Sequence, residues 1–137
     1  MMTSYIDIKR VPERIFRKPL VKVTGEIYRF LKLKRSCTIY FRKVNENDCP
    51  KGKTFWGIYE INEEDASATH EITISPLLFY KATAISLFKT LCHEMYHCYQ
   101  SENKMRMSEK CANIAEVKMF KKFYKSFKKD LDAQNHK

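Results

Sequence analysis

The string His93-Glu94-Met95-Tyr96-His97 constrains this chain more than any other stretch of it. Its chemistry exists only on a helix. Residues four apart differ by about 40° around a helix axis, so both imidazoles leave one face and can share one metal ion. Neutral imidazole binds zinc well, and two at this spacing supply two corners of a tetrahedron. Glu94 follows the first histidine and lies to one side of the pair. It is badly placed to join them as a ligand, but it can reach a water on the metal and take its proton, while the metal polarises a carbonyl under attack. The pentapeptide therefore asks for a helix, for a third ligand from another element, and for a cleft. A match to H-E-x-x-H arises by accident in on the order of one chain in a hundred of this composition, so its surroundings must carry part of the argument.

Those surroundings read as a helix following a strand. Ser75-Pro76 offers a capping hydroxyl and a proline at the first helical position. Apolar residues then recur from Leu77 through Phe88 and Leu91 to Tyr99, which puts the pentapeptide in the last third of the helix. Upstream, Leu20 to Leu33 carries Val23, Ile27, Phe30 and Leu31 at helical spacing. Cys37-Thr38-Ile39-Tyr40-Phe41, Thr54 to Ile61 and Thr69 to Ile74 read as three strands, β-branched or aromatic and alternating. Downstream, Ser108 can cap a final helix to about Asp130, with Ala112, Ala115, Met119, Phe120, Phe123 and Phe127 on one stripe. The expected fold is α+β, a minimal zincin: a small three-stranded sheet packed on the motif helix, flanked by N- and C-terminal helices. Residues 1–137 make one domain, in which 1–19 read as an extended arm and 131–137 as a frayed tail.

A third ligand should come from downstream, and the final helix offers two. Glu109 and Glu116 are seven residues apart and project within ~20° of each other. Glu109 needs less reach across the short polar break at Ser101 to Met107 and is the preferred ligand; Glu116, nineteen residues after His97, is the alternative. Asn113, one turn beyond Glu109, could orient a ligating histidine.

Leu91-Cys92-His93-Glu94-Met95-Tyr96-His97-Cys98-Tyr99-Gln100 resembles the active-site helix of gluzincin-type metallopeptidases, in the broad group of small ImmA/IrrE-like and SprT-like phage and bacterial proteins. Glu109-Lys110-Cys111-Ala112-Asn113-Ile114-Ala115 resembles the E-x-x-A-[DN]-x-x-A segment that supplies their third ligand. The resemblance covers about residues 69–120. It implies Zn2+ held by His93, His97 and Glu109, Glu94 as general base, and a protein or peptide substrate, which would lie along a strand edge near Thr69 to Ile74.

Composition narrows the setting. No apolar run approaches the ~20 residues that span a bilayer, and Met1 to Arg10 lacks the core of a signal peptide; a cytoplasmic protein is expected. Five cysteines with no C-x-x-C pair are expected to be reduced thiols. A cysteine close to the motif (Cys92, Cys98 or Cys111) could close a purely structural metal site. The formal charge of +10 is compatible with nucleic-acid association and equally with a lysine-rich solvated surface. Lys121 to Lys129 mixes lysines with aromatics, but helical spacing assigns Phe120, Phe123 and Phe127 to a core stripe and the lysines to water. His70 reads as a satisfied core or rim histidine, Trp56 as core, and His136 as part of the tail. Tyr96, Tyr99, Tyr124 and His70 are the candidates for an oxyanion donor.

Overall fold

The computed structural model describes residues 6–9, 11, 14–42, 57–62, 69–75, 84–106 and 108–134. In chain order they form β1 (Ile6–Lys9), a 3-10 turn at Arg14–Phe16, α1 (Arg17–Phe30), β2 (Cys37–Phe41), β3 (Gly57–Asn62), β4 (Thr69–Ile74), α2 (Ala84–Glu102) and α3 (Glu109–Gln134). The fold is α+β: a four-stranded mixed sheet and three helices.

Strand order is β1-β2-β4-β3, with β1 parallel to β2, β2 parallel to β4, and β3 antiparallel to β4. Register places Ile8, Ile39, Ile72 and Tyr59 in one row across the sheet, and Cys37, His70 and Ile61 in another. Because side chains alternate, one face of β2 and β4 carries Cys37, Ile39, Phe41, His70, Ile72 and Ile74, all buried. The opposite face presents Asp7, Thr38, Tyr40 and Glu71, none of them buried. The helices cover the apolar face. Phe16, Leu20, Val23 and Ile27 come from the 3-10 turn and α1, Leu87, Phe88, Leu91 and Met95 from α2, and Met119, Phe123, Phe127 and Leu131 from α3. Burying each such side chain is worth about 1.5–3 kcal/mol relative to leaving it in water.

Two expectations change. The sheet has a fourth strand, β1, inside the segment read as an extended arm, and α1 already begins at Arg17. Four residues with only Ile6 and Ile8 on the core side give too short an alternation to register in sequence. The segment becomes a strand by pairing with β2. The tail is also shorter than expected: Leu131 is fully buried and α3 continues to Gln134, because the stripe of Phe123 and Phe127 gains one more turn. The proposed start of the motif helix at Pro76, Trp56, Cys49 and His136 lie outside the described residues.

Both helix ends that matter to the site are built by local chemistry. Past α2, Lys104 adopts φ 53, and Met105 N–H donates to Gln100 O at 2.8 Å. This left-handed turn reverses the chain as a C-terminal glycine would. Ser108 then caps α3, its hydroxyl accepting from the Cys111 N–H at 3.1 Å. The short connection forces α3 back across α2 and sets Glu109, its first residue, over the motif histidines.

Candidate metal centre

His93 and His97 leave α2 on one face, their ring centroids 4.9 Å apart and nearly perpendicular. Glu109 bridges them: Oε2 lies 2.8 Å from His93 Nε2 and Oε1 lies 3.0 Å from His97 Nε2. Among the described residues, His93, His97 and Glu109 offer ligand atoms that all lie within 4.8 Å of one another and could hold a metal ion. Two imidazole nitrogens and one carboxylate oxygen fit zinc, and three protein ligands leave a coordination position for water or substrate. The burial is graded. His97 is 1% exposed and His93 14%, whereas the Glu109 side chain is 49% exposed, so the group opens to solvent on the α3 side.

Behind each histidine stands a second partner. Gln100 Oε1 is 2.8 Å from His97 Nδ1, and Glu116 Oε1 is 3.4 Å from His93 Nδ1. Glu116, the alternative third ligand, thus faces the nitrogen of His93 that points away from Glu109. Asn113 is exposed, and the positions it was expected to serve are taken by Gln100 and Glu116. Sequence could have pointed to Gln100, which is three residues from His97 and so on its helix face.

Glu94 is 4% exposed. Its surroundings include a feature the sequence reading missed. Gly57 opens β3 directly against α2: a Cβ built there would lie 2.6 Å from Thr90 Cγ2 and 3.4 Å from Glu94 Oε2. Only a residue without a side chain lets the strand approach this closely, and a glycine inside a strand pattern is the available signal for such an approach. Two residues on, Tyr59 places its ring 6.3 Å from that of His97.

Tyr59 belongs to a second cluster. Its hydroxyl is 2.8 Å from His70 Nδ1, and His70 Nε2 is 2.7 Å from Glu102 Oε2. The Glu102 carboxylate also accepts the backbone N–H groups of Lys34 at 2.8 Å and Arg35 at 2.9 Å. Burial pulls the His70 pKa below its ordinary value, although Glu102 acts in the opposite direction. Burial likewise pushes the Tyr59 hydroxyl up. His70 is therefore the satisfied core histidine the sequence indicated, and its bonds to Tyr59 and Glu102 withdraw it from the oxyanion candidates. Tyr124 packs against Phe88, Phe120 and Phe127.

The substrate edge expected at Thr69 to Ile74 is not an edge. β4 is paired on both sides, with β2 and β3, and the outer strand next to α2 is β3. Hydrogen bonding to the neighbouring strands takes up the β4 backbone, which a sequence pattern of alternation does not reveal.

Cys37, Cys92 and Cys98 are buried free thiols and Cys111 an exposed one. Burial pushes the Cys92 and Cys98 thiols up, away from the thiolate a metal requires. In the lysine-aromatic string, Phe123 and Phe127 are buried and Lys121, Lys122 and Lys125 exposed, with Lys122 over the Phe30 and Phe123 rings. No helix among the described residues is long and apolar enough to cross a membrane. Neither a protein-family model, nor a curated protein, nor a solved structure matches the chain.

Proposed function

We propose that this chain is a zinc-dependent metallopeptidase of minimal zincin type. The observation that carries the reading is the convergence of His93 Nε2, His97 Nε2 and the Glu109 carboxylate where the start of α3 meets α2, beside the buried Glu94. Zinc bound there would acidify a water and polarise the scissile carbonyl. The chain's own residues do the rest. His93, His97 and Glu109 hold the ion, and Glu94, fixed between α2 and Gly57 of β3, accepts the proton of the attacking water and returns it to the leaving amine. The substrate is an extended peptide that adds to the outer edge of β3, the strand beside Glu94.

Solvent access supports this reading over a structural metal site. A structural zinc is closed by four protein ligands. Here Cys92 and Cys98 are buried in the hydrophobic core, and the half-exposed Glu109 leaves the group open.

The test is metal content and peptide hydrolysis of purified wild type beside His93→Ala and Glu94→Gln. About one zinc per chain is expected in wild type, lost in His93→Ala and kept in Glu94→Gln, with hydrolysis absent from both variants. Zinc retained by His93→Ala refutes the site. Zinc-loaded wild type that cuts no member of a diverse peptide library refutes the peptidase.

A further inference from the structure

Each histidine of the metal group has two nitrogens, and the far one decides which atom is offered to the metal. Glu109 approaches both rings at Nε2. The far nitrogen of His97, Nδ1, lies 2.8 Å from Gln100 Oε1. Which end of the Gln100 amide faces His97 is fixed independently, since Gln100 Nε2 donates to Ser108 O at 3.2 Å. The oxygen is left for His97 and can only accept, so the proton of His97 sits on Nδ1. The far nitrogen of His93 faces Glu116 Oε1 at an ion-pair distance of 3.4 Å, and with a metal on Nε2 the ring proton would be left on Nδ1, toward a carboxylate that only accepts. In the metal-bound protein the two rings would thereby share one tautomer, backed by different partners.

Resting on the metal-binding part of the proposal above, we infer that Gln100 and Glu116 are positioning residues. They hold His93 and His97 as Nδ1–H imidazoles, so that both present Nε2 to the ion. Glu116 is not the third ligand.

The arrangement also couples the site to the turn that builds it. Gln100 is fully buried, its backbone carbonyl accepts from Met105 N–H at the end of α2, and its side chain grips Ser108 O. Ser108 in turn caps α3 and immediately precedes Glu109. One glutamine thus orients a ligand on α2 and tethers the residue before the ligand on α3. It sets the distance between the two halves of the metal group before any metal arrives.

The experiment measures zinc affinity by chelator competition for wild type, Glu109→Ala, Glu116→Ala, Glu116→Gln and Gln100→Met, with nitrogen-15 NMR of the histidine rings in the zinc-loaded proteins. Glu109→Ala should lose binding. Glu116→Ala and Gln100→Met should bind about 10- to 100-fold more weakly, and Glu116→Gln, which keeps an acceptor, should recover most of that loss. The NMR spectra should show protonated Nδ1 on both motif histidines in wild type, with the His93 signal perturbed in Glu116→Ala and the His97 signal in Gln100→Met. Loss of zinc from Glu116→Ala as complete as from Glu109→Ala would make Glu116 a ligand and overturn the inference. So would wild-type affinity in both Glu116→Ala and Gln100→Met, or Nδ1 metallation in wild type. Wild type that binds no zinc overturns the metallopeptidase reading along with it; the other outcomes leave that reading standing.

Discussion

Histidine meets glutamate at two places along α2, and the two meetings have opposite physics. At the C-terminal end, His70 and Glu102 have side chains 0% and 9% exposed, and Tyr59 and two backbone amides complete the cluster. Two turns earlier, His93 and His97 face a Glu109 side chain that is 49% exposed. The first cluster is sealed, with its donors and acceptors matched inside the protein. The second gathers three atoms that are all good metal ligands and leaves one side to solvent. Residue type does not separate a structural network from a group that could hold a metal ion; enclosure does.

Exchanging the damage between the clusters gives the largest expected contrast. Glu109→Ala should abolish zinc binding while leaving the thermal stability of the metal-free protein nearly unchanged, since an exposed carboxylate is removed. His70→Leu should do the reverse: zinc affinity within a few-fold of wild type, and a loss of about 3 kcal/mol in denaturant unfolding from the stranded Glu102 and Tyr59. If His70→Leu loses zinc as completely as Glu109→Ala does, the two clusters are one site and the comparison fails.

Next in size is the effect of closing the gap between β3 and α2. Gly57→Ala should cost about 1–3 kcal/mol through the clash with Thr90 and should slow hydrolysis by shifting Glu94. Thr90→Ser, which removes the clashing methyl, should restore much of the stability in the double variant. Additive losses in that double variant would place the strain elsewhere.

The sealed cluster should also show itself as a pH dependence. Burial holds the folded-state pKa of His70 below its ordinary value of 6.5, so on acidification the unfolded chain takes up a proton there before the folded one does. Its contribution to stability is therefore present above about pH 6.5 and lost as pH falls from there through the lower folded value. Urea unfolding of metal-free protein between neutral and mildly acid pH should slope less in His70→Leu than in wild type; equal slopes would show His70 to titrate normally. The smallest effect is at the cap of α3. Ser108→Ala should cost about 1 kcal/mol, read as a lowered urea midpoint, and leave His70 untouched.

Much of the site was legible because it lies within one helix and the start of the next. The i, i+4 spacing of His93 and His97, the cap at Ser108 and the position of Glu109 are all local, and local geometry follows from sequence at short range. β2 and β4 were legible for a similar reason, as each is a clean alternation of β-branched and aromatic residues. β1 was not, because Ile6 and Ile8 alone make no pattern and their strand is defined by pairing with Cys37 to Tyr40. Gly57 was visible as a residue but not as a contact, since its role depends on Thr90 and Glu94 arriving from more than thirty residues away. Asn113 shares the helix face of Glu109 and on sequence alone reads as its helper. Glu116 comes to the far side of His93 because α3 crosses α2, whereas Gln100 comes to that of His97 from one turn along the same helix.

By itself, the sequence determined the i, i+4 histidine pair with a glutamate between them, the capped helix that begins at Glu109, and the α+β class. Each is set by bonds and rotations within a few residues. Only the tertiary structure decided that β4 is interior and β3 is the outer strand, that His70 is locked to Glu102, and that Glu116 stands behind His93 while Glu109 stands before it. Those outcomes depend on which surfaces meet when the helices bury one face of the sheet, and that packing is a property of the whole chain.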